Sequence, residues 1–136
     1  MTSSRNKNQE VALQIIYTFL LSELSNTQIN FEEVLSLTTE TPFDEIDSFL
    51  RLVSLKVLKY QTEIEETYII PNLTHWTIDR LPLLTRAILL LAYAHFYYIK
   101  NVEKAVVINI AIQQAKSYLD KNEHRFINAI LDKTLN

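Results

Sequence analysis

The stretch LPLLTRAILLLAYAHFYYI, residues 81–99, decides between a membrane protein and a helical globular one. It contains Arg86 and His95, it has an early proline at Pro82, and its uninterrupted apolar run is limited to residues 87–94. That run covers less than half of the roughly 20 apolar residues that a membrane-spanning helix needs. Because proline is well tolerated at the start of a helix, the stretch is predicted to be a buried helix that begins near Pro82 and has no membrane contact.

Apolar residues outside this stretch also recur at helical spacing, and no segment sustains the period of two that is typical of a strand. The first predicted helix has two apolar stripes: Ala12, Ile15, Ile16, Phe19 and Leu20 form one, and Leu13, Tyr17, Leu21 and Leu24 form the other. A helix that is apolar on two sides lies at the centre of a bundle or meets a partner. The sequence therefore predicts an all-α bundle of about seven helices with short loops.

Capping residues and prolines predict where these helices begin and end. Thr41 and Pro42 supply an N-cap and a first helical position for a helix that ends near residue 60, and a weaker helix covers residues 63–70. Asn122 is the predicted cap of the last helix. The buried stripe of the helix before it is predicted to be Ala105, Ile108, Ile112, Ala115 and Leu119. Residues 72–79, with Trp76 as a hydrophobic anchor, are predicted to link the two halves.

The composition excludes several kinds of site. The 136 residues include no glycine and no cysteine. Glycine-rich nucleotide loops, EF-hands and backbone sites at positive φ are therefore not expected, and codon bias is a second explanation of the missing glycine. The absence of cysteine excludes disulfides, a thiolate nucleophile and cysteine-ligated zinc. The first residues lack the apolar stretch of a signal peptide, which predicts a cytoplasmic protein.

The net charge of −3 is divided unevenly along the chain. Residues 1–7 carry Arg5 and Lys7 and no acid, residues 8–50 carry eight acids and no Lys or Arg, and residues 51–136 carry eleven Lys or Arg against eight acids. This pattern permits one acidic and one mildly basic face, and a solvated surface explains it equally well. The basic segment 3–9 is typical of an arm that orders on RNA, with Asn and Gln reading base edges, and also of a disordered terminus.

No catalytic or metal-binding constellation stands out among the titratable residues. The sequence has three histidines, His75, His95 and His124. No two of them have a spacing suited to binding one metal ion together. We predict a hydrogen-bonded structural role for His95 and a solvated capping role for His124. Two carboxylate pairs, Glu65 with Glu66 and Asp44 with Asp47, are interpreted as helix-surface charge. The sequence therefore predicts a binding protein without metal or cofactor rather than an enzyme.

Four blocks of the sequence follow patterns that occur together in one protein family. WTIDRL at residues 76–81 and RAIL at residues 86–89 follow W-x-x-x-R-L and R-A-I-L. VINIAIQQAK at residues 107–116 follows A-I-N-E-A-x-E-L-A-K, and FINAILDK at residues 126–133 follows F-V-N-G-V-L-D-K. ALQIIY at residues 12–17 fits A-L-Q-x-L-Y, whereas residues 25–75 match only in helical pattern and length. In this order and spacing, the blocks resemble the transcription antitermination factor NusB family.

The resemblance implies a single domain, residues 1–136, of two small helical subdomains at residues 11–74 and 75–136, preceded by a basic mobile arm at residues 1–10. It also implies binding to the single-stranded boxA element of ribosomal RNA transcripts together with the small-subunit ribosomal protein NusE, in an antitermination complex with RNA polymerase. The residues that match the family's RNA-binding positions are Arg5, Lys7, Tyr17 and Arg86. Asp79 and Arg80 are interpreted as a helix cap and a local ion pair.

The sequence departs from the family pattern at several positions. Thr85 and Ile110 each replace an acid, Leu119 and Ala129 replace glycines, and Asn122-Glu123 replaces an acid–serine pair. The arm carries two cations where the family arm is rich in arginine. Since each phosphate contact with single-stranded RNA contributes only about −0.7 to the salt slope, two or three contacts give weak binding. We therefore expect weak RNA binding by the isolated protein and a sharp gain with NusE.

Two other hypotheses stay open at this point. NusB-like domains also occur attached to ribosomal RNA cytosine methyltransferases, so the chain is alternatively a detached helical adaptor for RNA modification. The third hypothesis is a homodimeric scaffold that associates through the exposed apolar stripe without RNA contact. Co-purification with NusE, with a methyltransferase or with a second copy alone separates the three.

Overall fold

The computed structural model describes residues 4–74 and 77–136, and these residues form the all-α architecture that the sequence predicts. Within them, six long helices are α1 (Ser4–Leu24), α2 (Phe31–Thr39), α3 (Ser48–Ile64), α4 (Leu83–Tyr93), α5 (Lys104–Tyr118) and α6 (Lys121–Thr134). The described residues contain no strand. His75 and the predicted anchor Trp76 lie outside the described residues, as does the side chain of Arg5.

Helix α4 lies at the centre of the core. Residues 87–95 are all buried, and α4 packs against α1, α3, α5 and α6. A helix that is surrounded in this way is hydrophobic on all sides, which explains the long apolar run in its sequence. The prediction of a buried helix is confirmed. No helix in the described ranges is both long and apolar enough to cross a membrane.

Helix α1 packs against α2, α3 and α4 and buries its first apolar stripe completely. Along the second stripe, burial decreases toward the C-terminus: Leu13 is buried, Tyr17 is half-buried, and Leu21 and Leu24 are 43% and 75% exposed. One continuous core contains residues from both sides of the predicted subdomain boundary near residue 75. The division into two subdomains stays a prediction.

Helix α1 begins earlier than the sequence predicted. It starts at Ser4 and thus includes most of the segment 1–10 that was expected to be a mobile arm. No proline or glycine precedes Pro42, so nothing in this segment interrupts a helix. Gln9 is 7% exposed, and its backbone carbonyl accepts a hydrogen bond from the Gln114 side chain at 3.2 Å. Packing against α5 therefore fixes the second half of the expected arm as helix.

Two predicted N-caps are wrong because an aspartate nearby takes the role. Asp47, not Thr41, caps α3: its carboxylate accepts from the Phe49 backbone N–H at 2.9 Å, and Phe43–Glu45 is a separate 3-10 turn. Asp120, not Asn122, caps α6 by accepting from the Glu123 backbone N–H at 3.0 Å. In each case the aspartate has extended or non-helical backbone, which is the geometry that an N-cap needs.

Two helices end in wide π-helical turns. Helix α3 continues through Glu65–Ile69 and a 3-10 turn at Ile70–Asn72, so the two helices predicted for residues 42–60 and 63–70 are one continuous rod. Helix α4 continues through Ala94–Ile99. The rings of Tyr68, Tyr93 and Tyr97 stack where these turns meet, with Tyr68 centred 5.0 Å from Tyr93 and 4.6 Å from Tyr97. The wide turns thus hold α3 against α4 through an aromatic column.

The chain adopts left-handed backbone without glycine. Asn26, Glu40 and Lys100 have φ of 58°, 54° and 65°, and the last two close the C-termini of α2 and of the turn after α4. The expectation that a glycine-free chain lacks positive-φ sites is therefore wrong. Leu119, which stands at a glycine position of the family pattern, has φ of −127° and needs no such conformation. Left-handed backbone costs about 1–2 kcal/mol for residues with a Cβ, which helix capping at these positions offsets.

Candidate nucleic-acid interface

Lys7 and Tyr17 both lie on α1 but do not form one cluster. Lys7 is fully on the surface, and Tyr17 is half-buried with part of its ring accessible. Ten residues of α-helix separate them by about 15 Å along the axis. No hydrogen bond or ion pair joins Lys7, Tyr17 and Arg86, all of which are described. The structure therefore shows no direct contact among these three predicted RNA-binding residues.

Arg86 is committed to an ion pair inside the protein. Its Nη2 and Nε donate to Oε2 of Glu65 at 2.8 and 3.2 Å, and the two side chains are 12% and 11% exposed. Glu65 lies at the start of the wide turn after α3, so the pair joins that turn to the first turns of α4. The interpretation of Glu65 as helix-surface charge is wrong, because a distant residue neutralises it. Breaking a pair this buried leaves an uncompensated charge, which is strongly destabilising.

The expected ion pair between Asp79 and Arg80 does not form. Both residues are exposed in the 3-10 turn Ile78–Arg80, and the turn has no side-chain cap. Among the side chains that the structure describes, the ion pairs are instead Arg86–Glu65 and Lys104–Asp132. Arg80 therefore contributes an exposed cation near the start of α4.

Two departures from the family pattern meet in space. Thr85 is completely buried, and its hydroxyl donates to Oε2 of Glu123 at 2.9 Å. The family pattern has an acid at the position of Thr85 and serine at the position of Glu123. Relative to that pattern the hydroxyl and the carboxylate have exchanged places, and in this chain they form a hydrogen bond between α4 and α6. Both substitutions are visible in the sequence, but no local pattern indicates that two residues 38 positions apart are in contact.

A polar groove between α1 and α5 was not predicted. It has a volume of 420 Å³ and is lined by Asn6, Gln9, Glu10, Asn109, Ile110, Gln113, Gln114 and Ser117. We call it the amide groove, because five of these eight side chains are carboxamides. The spacing of 109, 113 and 117 along α5 is the sequence signal that marks a common helix face. Their proximity to α1 depends on contacts across the whole chain.

The amide groove was missed because the buried face of α5 was predicted wrongly. The buried residues of α5 are Val107, Ala111, Gln114 and Ala115. Of the predicted stripe, Ala115 alone is among them, while Ile108 and Ile112 are half-buried and Ala105 is exposed. A buried glutamine beside alanines gives a weak apolar signal, whereas two half-buried isoleucines give a strong one. The helix is consequently rotated relative to the prediction.

The half-buried isoleucines form the floor of a second groove, between α5 and α6. It has a volume of 740 Å³, and its polar rim includes Lys104, Asn128 and Arg125. Lys104 Nζ donates to the Asp132 backbone carbonyl at 2.7 Å and lies 3.8 Å from its carboxylate. The apolar residues that line this groove distinguish it from the amide groove. Of the two cations on its rim, Lys104 is partly neutralised by Asp132.

The histidines have structural roles. His95 is buried, its Nε2 lies 3.1 Å from Oδ1 of Asn101, and its ring packs on Phe49 with centroids 5.0 Å apart, which confirms the structural prediction. His124 is half-buried, and its Nε2 lies 2.9 and 3.0 Å from the carbonyls of Leu119 and Ala115. It satisfies the carbonyl end of α5, so the predicted capping is present but serves α5 and is less solvated than expected.

The perturbed titrations belong to tyrosines: two lie in the aromatic column, and the third is Tyr98, whose pKa is raised by burial and by its hydrogen bond to Glu63. Burial raises the pKa of Tyr93 above its ordinary value, and burial also raises the pKa of Tyr68. These phenols keep their protons and act as hydrogen-bond donors or acceptors, as Tyr93 does with the Thr134 hydroxyl at 2.8 Å. Among the described residues, no three His, Cys, Asp or Glu side chains group as metal ligands would.

This fold and surface define an all-α helical-bundle protein with a groove on either side of α5. Comparison with known proteins identifies the family. Residues 6–136 match the model of the NusB family. The chain belongs to the NusB family, as the sequence blocks indicated.

Relatives named as transcription antitermination protein NusB align over nearly the whole chain. The protein from Oceanobacillus iheyensis is 31% identical over 132 residues, covering 97% of this chain and 98% of the relative. The protein from Aromatoleum aromaticum is 34% identical over 131 residues, covering 96% and 87%.

Two solved structures share the fold. The structure of T. maritima NusB superposes with a TM-score of 0.80 at 23% identity, and the match covers 98% of this chain and 91% of that chain. NusB from a crystal structure of the antitermination factors NusB and NusE in complex with dsRNA gives a TM-score of 0.74 at 22% identity, with 98% and 96% covered. At these identities, the likeness concerns the fold alone.

Proposed function

We propose that this protein acts in transcription antitermination by binding boxA-type single-stranded RNA of ribosomal RNA transcripts together with NusE. The family match over residues 6–136 is the observation that carries the proposal. In this proposal the protein works in the cytoplasm as part of an RNA polymerase antitermination complex. Its contribution in this proposal is binding and not catalysis.

The proposed RNA contacts of Lys7 and Tyr17 follow from their accessibility, and that of Arg5 follows from the family pattern. The exposed Lys7 contacts a phosphate, as does Arg5, and the half-buried Tyr17 offers its ring for stacking or its hydroxyl for hydrogen bonding. Arg86 acts indirectly, because its guanidinium is paired with Glu65. We propose that Arg86 positions the first turns of α4 next to the RNA rather than contacting a phosphate.

Titration of fluorescently labelled boxA RNA, with and without NusE, tests the proposal. We expect weak binding by the isolated protein, with a salt slope between about −1.4 and −2 for two or three phosphate contacts, and much tighter binding with NusE. The Lys7→Ala variant is expected to reduce the slope by about 0.7. Equal affinity with and without NusE, or no dependence on salt, contradicts the proposal.

Self-association is a second candidate function, which the exposed leucines favour. Three lie at helical spacing on α3, where Leu52, Leu55 and Leu58 are each 44–47% exposed. The other two are Leu24 at the end of α1, 75% exposed, and Leu37 on α2, 70% exposed. Sedimentation of the protein over a range of concentrations tests for a homodimer. A dimer that is broken by Leu55→Asp supports this function, and a monomer at every concentration excludes it.

A further inference from the structure

We propose that the amide groove reads the base edges of single-stranded RNA, while cations on its two sides hold the phosphates. This inference rests on the proposed RNA-binding function and assigns it a subsite. Carboxamides present both a donor and an acceptor in one plane, which is the pattern that base edges require. The groove is lined by five carboxamides and the Ser117 hydroxyl against a single carboxylate, that of Glu10. The Gln114 amide and the Ser117 hydroxyl already donate to backbone carbonyls, whereas Gln113 is exposed.

The side chain of Gln9 lies at the inner wall of the groove. Gln9 is 7% exposed, lines the groove, and has an Oε1 atom without a hydrogen-bond partner. Its backbone carbonyl is fixed by the Gln114 amide, so the residue cannot withdraw from the groove without breaking that contact. Because Oε1 is enclosed by the protein and Gln9 also borders two other cavities, Gln9 shapes the inner wall of the groove and is not itself assigned an RNA contact.

The charge around the groove suits a polyanion whose backbone stays at the rim. Lys7 follows Asn6 on α1, and Lys116 precedes Ser117 on α5, and both lysines are exposed. One residue along a helix is a rotation of about 100°, so each lysine flanks its helix's groove-facing side. Neither lysine takes part in an ion pair within the described residues. Phosphates at the rim would therefore meet unpaired cations.

The groove also lacks carboxylates that the family pattern would place there. The pattern A-I-N-E-A-x-E-L-A-K has glutamate at the positions of Ile110 and Gln113, and both positions line the groove. Two fewer negative charges reduce repulsion of phosphates next to an arm with only two cations. A protein partner is less well matched, because Ile110 is the groove's sole apolar lining residue and anchor residues at protein interfaces are mostly aromatic or Arg.

Restoring one carboxylate tests the inference. Gln113→Glu replaces the NH2 group of the exposed Gln113 side chain by an oxygen and adds one negative charge. Gln28→Glu is the matched control: it makes the same change in the exposed loop before α2, at the far end of α1. The RNA titration is run with and without NusE on wild type and both variants, after thermal melts establish that all three are folded. We expect Gln113→Glu to bind boxA RNA about tenfold more weakly than wild type and Gln28→Glu to bind within about twofold.

Side-chain amide signals provide a second measurement. In proton–nitrogen correlation spectra, the Gln113 amide pair is identified by its loss in Gln113→Glu, and we expect it to shift when RNA is added to the wild type. Equal RNA affinity of the two variants, or an unshifted Gln113 signal, overturns the inference and leaves the proposed function intact. Failure of wild type to bind RNA overturns both. If Gln113→Glu reduces only the increase in RNA affinity that NusE produces, and not RNA binding by the isolated protein, the groove is assigned to a protein partner and the inference is also overturned.

Discussion

The ion pair between Arg86 and Glu65 allows a structural role of Arg86 to be separated from RNA contact. Glu65→Leu removes the acceptor of two hydrogen bonds and leaves a guanidinium of 12% exposure without its partner. Removal of one member of a buried pair costs about 3–5 kcal/mol, and the partial exposure of both side chains places the expected loss near 3 kcal/mol. Arg86→Met is expected to cost a similar amount, because Glu65 is then unpaired.

The loss translates into a measurable change in Tm. An unfolding entropy of about 2.1 cal/mol/K per residue gives roughly 0.29 kcal/mol/K for 136 residues, so 3 kcal/mol lowers Tm by about 10 °C. The double variant E65L/R86M replaces the pair by apolar side chains of similar volume and is expected to recover to within about 1 kcal/mol of wild type. Calorimetry or circular dichroism on the four proteins measures both effects.

RNA titration of the same four proteins decides the role of Arg86. A positioning role predicts that the stable double variant binds boxA RNA within about twofold of wild type. A direct phosphate contact predicts tighter binding by Glu65→Leu, which frees the guanidinium, and a salt slope weaker by about 0.7 in the double variant. The second pattern would refute the positioning role, and a double variant as unstable as either single variant would refute the ion-pair energetics.

Three further predictions concern stability. Glu123→Ala leaves the buried Thr85 hydroxyl unpaired and is expected to cost about 1–2 kcal/mol in urea unfolding, while T85V/E123A recovers most of it; additive losses would contradict this. Lys100→Gly relieves left-handed backbone and is expected to raise stability by about 0.5–1 kcal/mol, whereas Lys116→Gly inside α5 should lower it by about 1 kcal/mol. Because burial raises the pKa of Tyr93 above its ordinary value of 10.0, the unfolded state loses that proton first: stability is retained below pH 10 and falls above it. Tm measured from pH 9 to 11 should therefore fall less in Tyr93→Phe than in wild type, and parallel curves would exclude the buried phenol as the cause.

The local features of the fold were predictable from sequence, and those that depend on distant residues were not. The first stripe of α1 and the apolar centre of α4 were identified because many apolar side chains at helical spacing give a strong periodic signal. The caps at Asp47 and Asp120 were displaced by a few residues, since several polar side chains near each helix start compete for one role. The rotation of α5 was missed because Gln114 is buried by its contact with Gln9, 105 residues away.

The same limit applies to the candidate interface. Lys7 and Tyr17 were identified through the family pattern, and their accessibility agrees with a surface role that stays a prediction. Arg86 was assigned from the same pattern without its partner, because Glu65 lies 21 residues earlier and is neutralised only when α3 and α4 pack together. The amide groove combines residues from α1 and α5, so no local pattern contains it.

The wide turn after α4 makes the C-terminus sensitive to the exact length of the chain. A π-helical turn holds one residue more than the α-helical turn it replaces, so deleting a single residue from Ala94–Ile99 would close it to regular helix. The side chains beyond the deletion would then rotate by about 100°. Tyr97 would leave the ring of Tyr68 and lose its hydrogen bond to the Thr134 carbonyl, which secures the end of α6. The additional residue of the π-helical turn Ala94–Ile99 is thus required for the contact that holds the C-terminal end of α6.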